Sequence, residues 1–278
     1  MIAASPVARF YLADALAQRH PATALALTDA LLKSGATVAT LPGTRDIWAR
    51  DFMPVPTARG RLMQFRYFPD YLRPKRWHTT ITDGAAVATR LGLPLQRSPL
   101  IVDGGNVVSS FGRVLMSDKV LRENPTVPRS RLLRLLADAL EVDRIDLVPA
   151  HPDDFTGHAD GLVQLLDERT ALVNDYRRHE PVIWQRLLKA LRRAGFDCVP
   201  LPYNPYQNTD YTSAVGEYIN YLSVGKTLII PVYHQAEDEL VLRRLHELYP
   251  DCEIIPLDGR AVAKQGGVFH CVTWENPM

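Results

Sequence analysis

The sequence predicts an α/β fold built as a radial array of five similar units around one central site. Three observations carry this. Helix, tight turn, short apolar strand and proline follow one another five times along 278 residues. The prolines, Pro42, Pro99, Pro149, Pro202 and Pro256, recur every 50 to 57 residues. Each is followed by a loop rich in carboxylates, amides or imidazole. A repeat of this length marks supersecondary units in an array. An ordinary α/β sheet also alternates helices and strands. The loops favour the ring, because five equivalent loops around one axis would meet in a single site.

The first unit reads as a helix from Ala24 to Lys33, a Ser34-Gly35 turn, and the strand Ala36 to Leu41 before Pro42. The second is the least regular: Ala85 to Leu91, Gly92, then Leu93 towards Pro99. In the third, leucines at 132, 133, 135, 136 and 140 form a helical stripe, followed by Arg144 to Pro149. In the fourth, Val182 to Arg193 carries Trp184, Leu187, Leu188 and Leu191 on one side, and Gly195 stops it before Cys198 to Pro202. The fifth runs Leu240 to Leu248, Pro250-Asp251, then Glu253 to Pro256. Apolar spacing near 3.6 with Gly or Pro stops supports each helix. Leu62 to Tyr67, Val114 to Met116, Leu162 to Leu166, Thr170 to Val173 and Thr227 to Val232 are further strands.

Composition is that of a globular protein, 46% apolar and 23% charged, with a formal charge of +1. Neither a basic excess nor a like-charge block points to nucleic acid or a membrane surface. Met1 to Pro6 shows no basic stretch leading into an apolar core, and no apolar run is long enough to span a bilayer. Cytoplasmic residence is the expectation. Three cysteines, Cys198, Cys252 and Cys271, make neither a disulfide framework nor a zinc spacing. A reduced compartment suits a free thiol. Cys198 and Cys252 sit in apolar strands and read as structural. The glycine pairs Gly104-Gly105 and Gly266-Gly267 lack phosphate-loop spacing and read as places of close backbone approach.

Four segments carry chemistry: Trp48-Ala49-Arg50-Asp51, Asp103-Gly104-Gly105-Asn106, Gly157-His158-Ala159-Asp160, and Gly266 to Cys271, where Cys271 closes a short apolar strand. A thiol, an imidazole and two carboxylates suit a guanidine substrate. Carboxylates fork onto its N–H groups, a thiolate attacks its carbon, and a histidine moves protons. Taken singly, a buried cysteine is more often packing, and His158-x-Asp160 more often a turn. Other loop acids, Asp153, Asp154 and Asp210 among them, have no role readable from the text. Tyr67 to Trp77 and Tyr203 to Tyr211 are the segments expected to select the substrate's far end.

In that order the four motifs resemble the guanidine-modifying (pentein) superfamily, most closely its agmatine deiminase and bacterial-type peptidylarginine deiminase branch. The resemblance covers nearly the whole chain. It implies a five-fold pseudosymmetric α/β-propeller of ββαβ units, with residues 1–278 as one catalytic domain. It also implies Cys271 as nucleophile, His158 as general acid/base, and Asp51 and Asp160 gripping the guanidinium. Asp103, where the family often has Glu, would be a supporting substrate-binding acid. Trp48 either stacks on the guanidinium, at about 0.5 to 2 kcal/mol, or packs. The chain departs from agmatine deiminases at Phe65 to Tyr71, where a Trp-Gly-Gly stretch is usual, and at Met53, where Gly is usual.

The activity so implied is hydrolysis of agmatine to N-carbamoylputrescine and ammonia through a covalent thiouronium on Cys271. No metal or organic cofactor is required. The partner is a small guanidino substrate, without nucleic acid or membrane, and a homo-oligomer is left open. Peptidylarginine or free arginine deimination, amidino transfer, and a non-catalytic binding propeller are the alternatives.

Overall fold

The structure is a computed structural model describing residues 8–206, 208 and 212–276. Asp210 and Tyr211, and Met1 to Pro6 at the start, lie outside the described residues.

Fifteen strands occur among the described residues: β1 Arg9–Ala13, β2 Thr37–Leu41, β3 Val55–Pro56, β4 Leu62–Arg66, β5 Gln96–Ile101, β6 Val108–Ser110, β7 Arg113–Ser117, β8 Ile145–Val148, β9 Val163–Leu165, β10 Thr170–Asn174, β11 Asp197–Leu201, β12 Leu222–Val224, β13 Thr227–Val232, β14 Glu253–Asp258 and β15 Thr273–Asn276. They form five three-stranded sheets, ordered β15-β1-β2, β3-β4-β5, β6-β7-β8, β9-β10-β11 and β12-β13-β14. In each sheet the middle strand pairs antiparallel on one side and parallel on the other. A parallel pair needs a crossover. Five helices supply it: α1 Pro21–Lys33, α2 Gly84–Arg90, α3 Arg129–Leu140, α4 Pro181–Ala194 and α5 Ala236–Leu248. The repeat is therefore ββαβ, and the fold is the five-unit α/β-propeller.

The helices form where the sequence supports them. In α4, Ile183, Leu187 and Leu191 recur at every fourth position and are all buried. Burial contributes roughly 1.5–3 kcal/mol for each such side chain. Pro181 occupies the first turn, where no N–H is needed, and Gly195 ends the helix at a φ of 87°, the left-handed conformation that glycine takes without cost. In α5 the side chains of Gln235 and Asp238 cap each other's backbone N–H.

Three of the five recurring prolines, Pro42, Pro149 and Pro202, stand immediately after β2, β8 and β11. Pro99 and Pro256 lie inside β5 and β14. Both are the outer strands of their sheets, where a missing N–H costs no ladder bond. The second strand also begins later than the text suggested, at Gln96 rather than Leu93. The ring was expected, but not how it closes: the first sheet draws β1 from the start of the chain and β15 from its end, paired from Arg9↔Asn276 to Leu12↔Thr273. Trp274 on β15 is buried, packs on Tyr11 at 5.2 Å, and donates its indole N–H to the Pro54 carbonyl at 2.7 Å. That bond ties the closing strand to the second unit. Among the described residues no helix is long and apolar enough to cross a membrane.

Candidate active site

The segments after the third strand of each unit carry the chemistry, as expected for α/β units whose sites form beyond the carboxyl ends of parallel strands. After β2 comes the helical turn Ala49–Phe52 with Asp51; after β5, the turn Gly104–Asn106 behind Asp103. His158 and Asp160 follow β8, Glu217 and Asn220 follow β11, and Cys271 follows β14. Cys271 does not close an apolar strand. It lies in the helical turn Phe269–Val272 ahead of β15, and this turn aims the thiol inward, where a strand would have continued past the site.

Trp48, Asp51, His158, Asp160 and Cys271 line one cavity of about 780 Å³. Asp103 does not. Its side chain has no exposure and bonds the far nitrogen of the imidazole, Nε2 of His158 to Oδ2 at 2.8 Å. The expectation that Asp103 touches substrate is thus corrected: its short side chain ends behind the ring, in an ion pair with the buried Lys119. Lys119 in turn holds Glu123 at 2.7 Å. The Nδ1 side of His158 faces Asp51 Oδ1 at 3.6 Å.

Glycine makes this crowding possible. A Cβ on Gly104 would stand 2.0 Å from the Arg50 carbonyl oxygen. One on Gly105 would stand 2.6 Å from Asp51 Oδ1 and 2.7 Å from His158 Nδ1. The Gly105 N–H donates to Asp51 at 3.0 Å, while its carbonyl accepts from the Asp160 N–H at 3.1 Å. The backbone of one residue therefore links the Asp51 carboxylate to the Asp160 main chain. At Gly267 an added Cβ would meet Trp48 at 2.8 Å and the Cys271 sulfur at 3.0 Å. Close approach, the reading given to both glycine pairs, is what they permit.

Burial opposes the charge of His158, but Asp51 and the hydrogen-bonded Asp103 overcome it and raise its pKa to about 9. Burial raises Asp51 to about 7, opposed by His158 and assisted by Asp103 and Asp160. Asp103 falls to about 2, because Lys119 and His158 outweigh its burial. Burial, then Asp160 and Asp51, push the Cys271 thiol well above its usual range. The sulfur donates towards Asp160 Oδ2 at 3.6 Å.

Several participants were assigned no role from the text, although Arg50 and His270 stand inside its motifs. Asn220 accepts from the N–H groups of Val268 and Cys271 at 3.0 and 3.3 Å, pinning the cysteine turn. His270 Nδ1 bonds Asp160 Oδ2 at 2.7 Å. Arg50 is half-buried beside Asp160 and Glu275, with Nε 3.4 Å from the His270 carbonyl. Tyr67, Tyr71, Trp77, Tyr203 and Asn208 line the cavity, so both segments expected to select the substrate reach it. At the rim, His151, Asp153 and Glu180 each bring one ligand atom within 4.8 Å of the others. His151 already bonds Glu180, and Tyr203 donates to the same carboxylate at 2.7 Å.

Known proteins share this architecture. An agmatine deiminase of C. jejuni with substrate bound superposes with a TM-score of 0.79 at 20% identity, over 99% of this chain and 94% of that one. DDAH from Pseudomonas aeruginosa superposes at 0.62 and 11% identity, over 96% and 98%. These likenesses show the fold. A putative agmatine deiminase of Photobacterium profundum is 23% identical over 223 residues, 69% of this chain and 61% of that relative. The chain thus spans about three fifths of the length of the first curated relatives it matches. The model of the Porphyromonas-type peptidyl-arginine deiminases matches residues 4–277, and the chain belongs to that family.

Proposed function

We propose that this protein deiminates a small guanidino compound, agmatine being the best single candidate, through a covalent intermediate on Cys271. One observation carries the reading: a thiol, an imidazole held cationic, and two carboxylates line a single cavity. Relatives named as agmatine deiminases support it. So does the charge of the wall. Its arginine, Arg19, is already engaged by Asp46 at 3.2 Å and by the Arg45 carbonyl, so among the described residues of the wall no guanidinium stands free for the carboxylate of free arginine.

In the proposed mechanism Asp51 and Asp160 bind the guanidinium by paired charge-assisted hydrogen bonds and hold its carbon before the sulfur. Burial and the field of the two acids keep Cys271 protonated; the bound cation cancels that field, and the thiol releases its proton to water in the cavity. The thiolate attacks the guanidine carbon. His158 donates its proton to the departing nitrogen, and ammonia leaves a thiouronium on Cys271. Neutral His158 then takes a proton from water as its oxygen attacks the same carbon. The C–S bond breaks as the proton of the new hydroxyl passes to the sulfur, giving the neutral ureido product and the resting thiol, with His158 again protonated. Asp103 orients the ring and stabilises its charge. Agmatine supplied to the purified protein should yield ammonia and N-carbamoylputrescine, with an adduct trapped on Cys271. Absence of ammonia from agmatine, arginine and arginyl peptides alike would refute the reading.

A further inference from the structure

The cavity wall carries more negative charge than a guanidinium needs. Besides Asp51 and Asp160 it includes Asp46, Asp153, Asp154, Glu180 and Glu217. Several are already engaged: Asp46 with Arg19, Glu180 with His151 and Tyr203, and Asp154 with the N–H and hydroxyl of Thr156. Glu217 is different. It follows Gly216, whose φ of 92° turns the chain where an added Cβ would stand 1.9 Å from the Asn204 carbonyl oxygen. Its carboxylate points into the cavity near the Gly161 backbone, with Oε2 3.7 Å from where a Cβ on Gly161 would be. Its backbone carbonyl accepts the Tyr233 hydroxyl at 2.7 Å, which fixes the segment, but its carboxylate has no hydrogen-bond or ion-pair partner among the described residues.

A half-buried acid whose carboxylate opens onto the cavity and has no partner among the described residues is placed to take one from the ligand. We propose that Glu217 receives a second positive charge on the substrate's far end, an ammonium separated from the guanidinium by a flexible alkyl chain. It would act as the specificity residue for dicationic guanidines. This rests on the deiminase reading above and adds the side chain that tells an ammonium tail from a neutral or anionic one. The surroundings agree. Burial and the neighbouring Asp154, Glu180 and Asp160 raise the Glu217 pKa, and an arriving cation opposes that shift.

The test compares agmatine, with its ammonium tail, with n-butylguanidine, which ends in a methyl group, in wild type and Glu217→Gln. The ratio of kcat/KM for agmatine to that for n-butylguanidine should fall at least tenfold in the variant, mainly through KM for agmatine. A ratio within twofold of wild type overturns the proposal. So does an equal loss on both compounds in a variant whose thermal unfolding midpoint matches wild type, which would place Glu217 on the guanidinium itself. A second measurement avoids turnover. Agmatine binding to Cys271→Ser, followed by calorimetry in two buffers, should release a proton that Cys271→Ser/Glu217→Gln does not release. Wild type that turns over neither guanidine would refute this proposal, and the deiminase reading falls with it only if arginine and arginyl peptides also release no ammonia. Turnover of both with an unmoved ratio refutes only this proposal.

Discussion

Two histidines stand at the reactive end of the site, His158 buried and His270 half-buried, each against an aspartate, and they end in opposite charge states. His158 lies between Asp51 and Asp103 and is raised to about 9. His270 bonds Asp160 at 2.7 Å, yet its pKa is lowered, because burial and the adjacent Arg50 outweigh that carboxylate. Pairing with an aspartate does not by itself make a histidine a cation; the sum of its surroundings does. The difference divides the labour in the proposed mechanism. His158 carries the proton for the leaving group, whereas neutral His270 is a fixed donor that, with Arg50, helps hold Asp160 ionised.

Exchanging each histidine for an amide is the sharpest way to break this comparison. His158→Asn removes the proton donor and should lower kcat by 10²- to 10⁴-fold. Equal losses in His158→Asn and His270→Asn would collapse the distinction. The next effect falls on stability. Lys119 has no exposure and neutralises Asp103 and Glu123 together. Lys119→Met leaves Asp103 with His158 alone and buried Glu123 without its cation, and should cost about 3–5 kcal/mol in urea unfolding.

The third prediction concerns pH. His158 titrates at about 9 in the fold, against roughly 6.5 unfolded. Its contribution to stability is therefore complete below pH 6.5 and lost as pH rises through 9. Asp51, raised from 3.8 to about 7, acts in the same direction over a lower window. Asp103, lowered to about 2, contributes fully above 3.8 and loses that contribution as pH falls through 2. Asp103→Asn removes the hydrogen-bonded carboxylate from His158. The alkaline limb of kcat/KM should move to lower pH by about a unit, and the alkaline decline in stability should flatten. An unmoved limb would mean that Asp103 does not set the charge of His158.

Much of this was legible in the text, for a physical reason. A helix, a turn and a strand write themselves into adjacent residues, so the five crossovers and the loops after them could be read from spacing. Cys271, His158, Asp51 and Asp160 stand in short motifs and reach the same cavity. What the text hid were partnerships between distant residues. Lys119 looks like an ordinary helix lysine until folding brings Asp103 beneath it. Glu217 and Asn220 sit in a polar loop without periodicity, and nothing nearby shows that one faces the cavity while the other pins the Cys271 turn. β15 reads Thr-Trp-Glu-Asn, too polar to announce a strand, and its pairing depends on β1 at the other end of the chain. Asp103 was read as touching substrate because motif position gives neighbourhood but not depth.

The smallest expected effect tests the quieter histidine. Asp160 Oδ2 accepts from His270 Nδ1 at 2.7 Å and faces the Cys271 sulfur at 3.6 Å, so the imidazole decides where that carboxylate points. His270→Leu removes the donor from an ionised buried acid, a bond worth about 1.5–3 kcal/mol. Asp160 would take up a proton more readily and grip the guanidinium less well. KM should rise by roughly tenfold or more, with kcat reduced less. His270→Asn places an amide N–H near the position of Nδ1 and should recover most of the loss. In neither variant should the alkaline limb near pH 9 move, because that limb belongs to His158. A limb displaced by His270→Asn would mean that the two histidines titrate as one unit, and the division of roles between them would have to be abandoned.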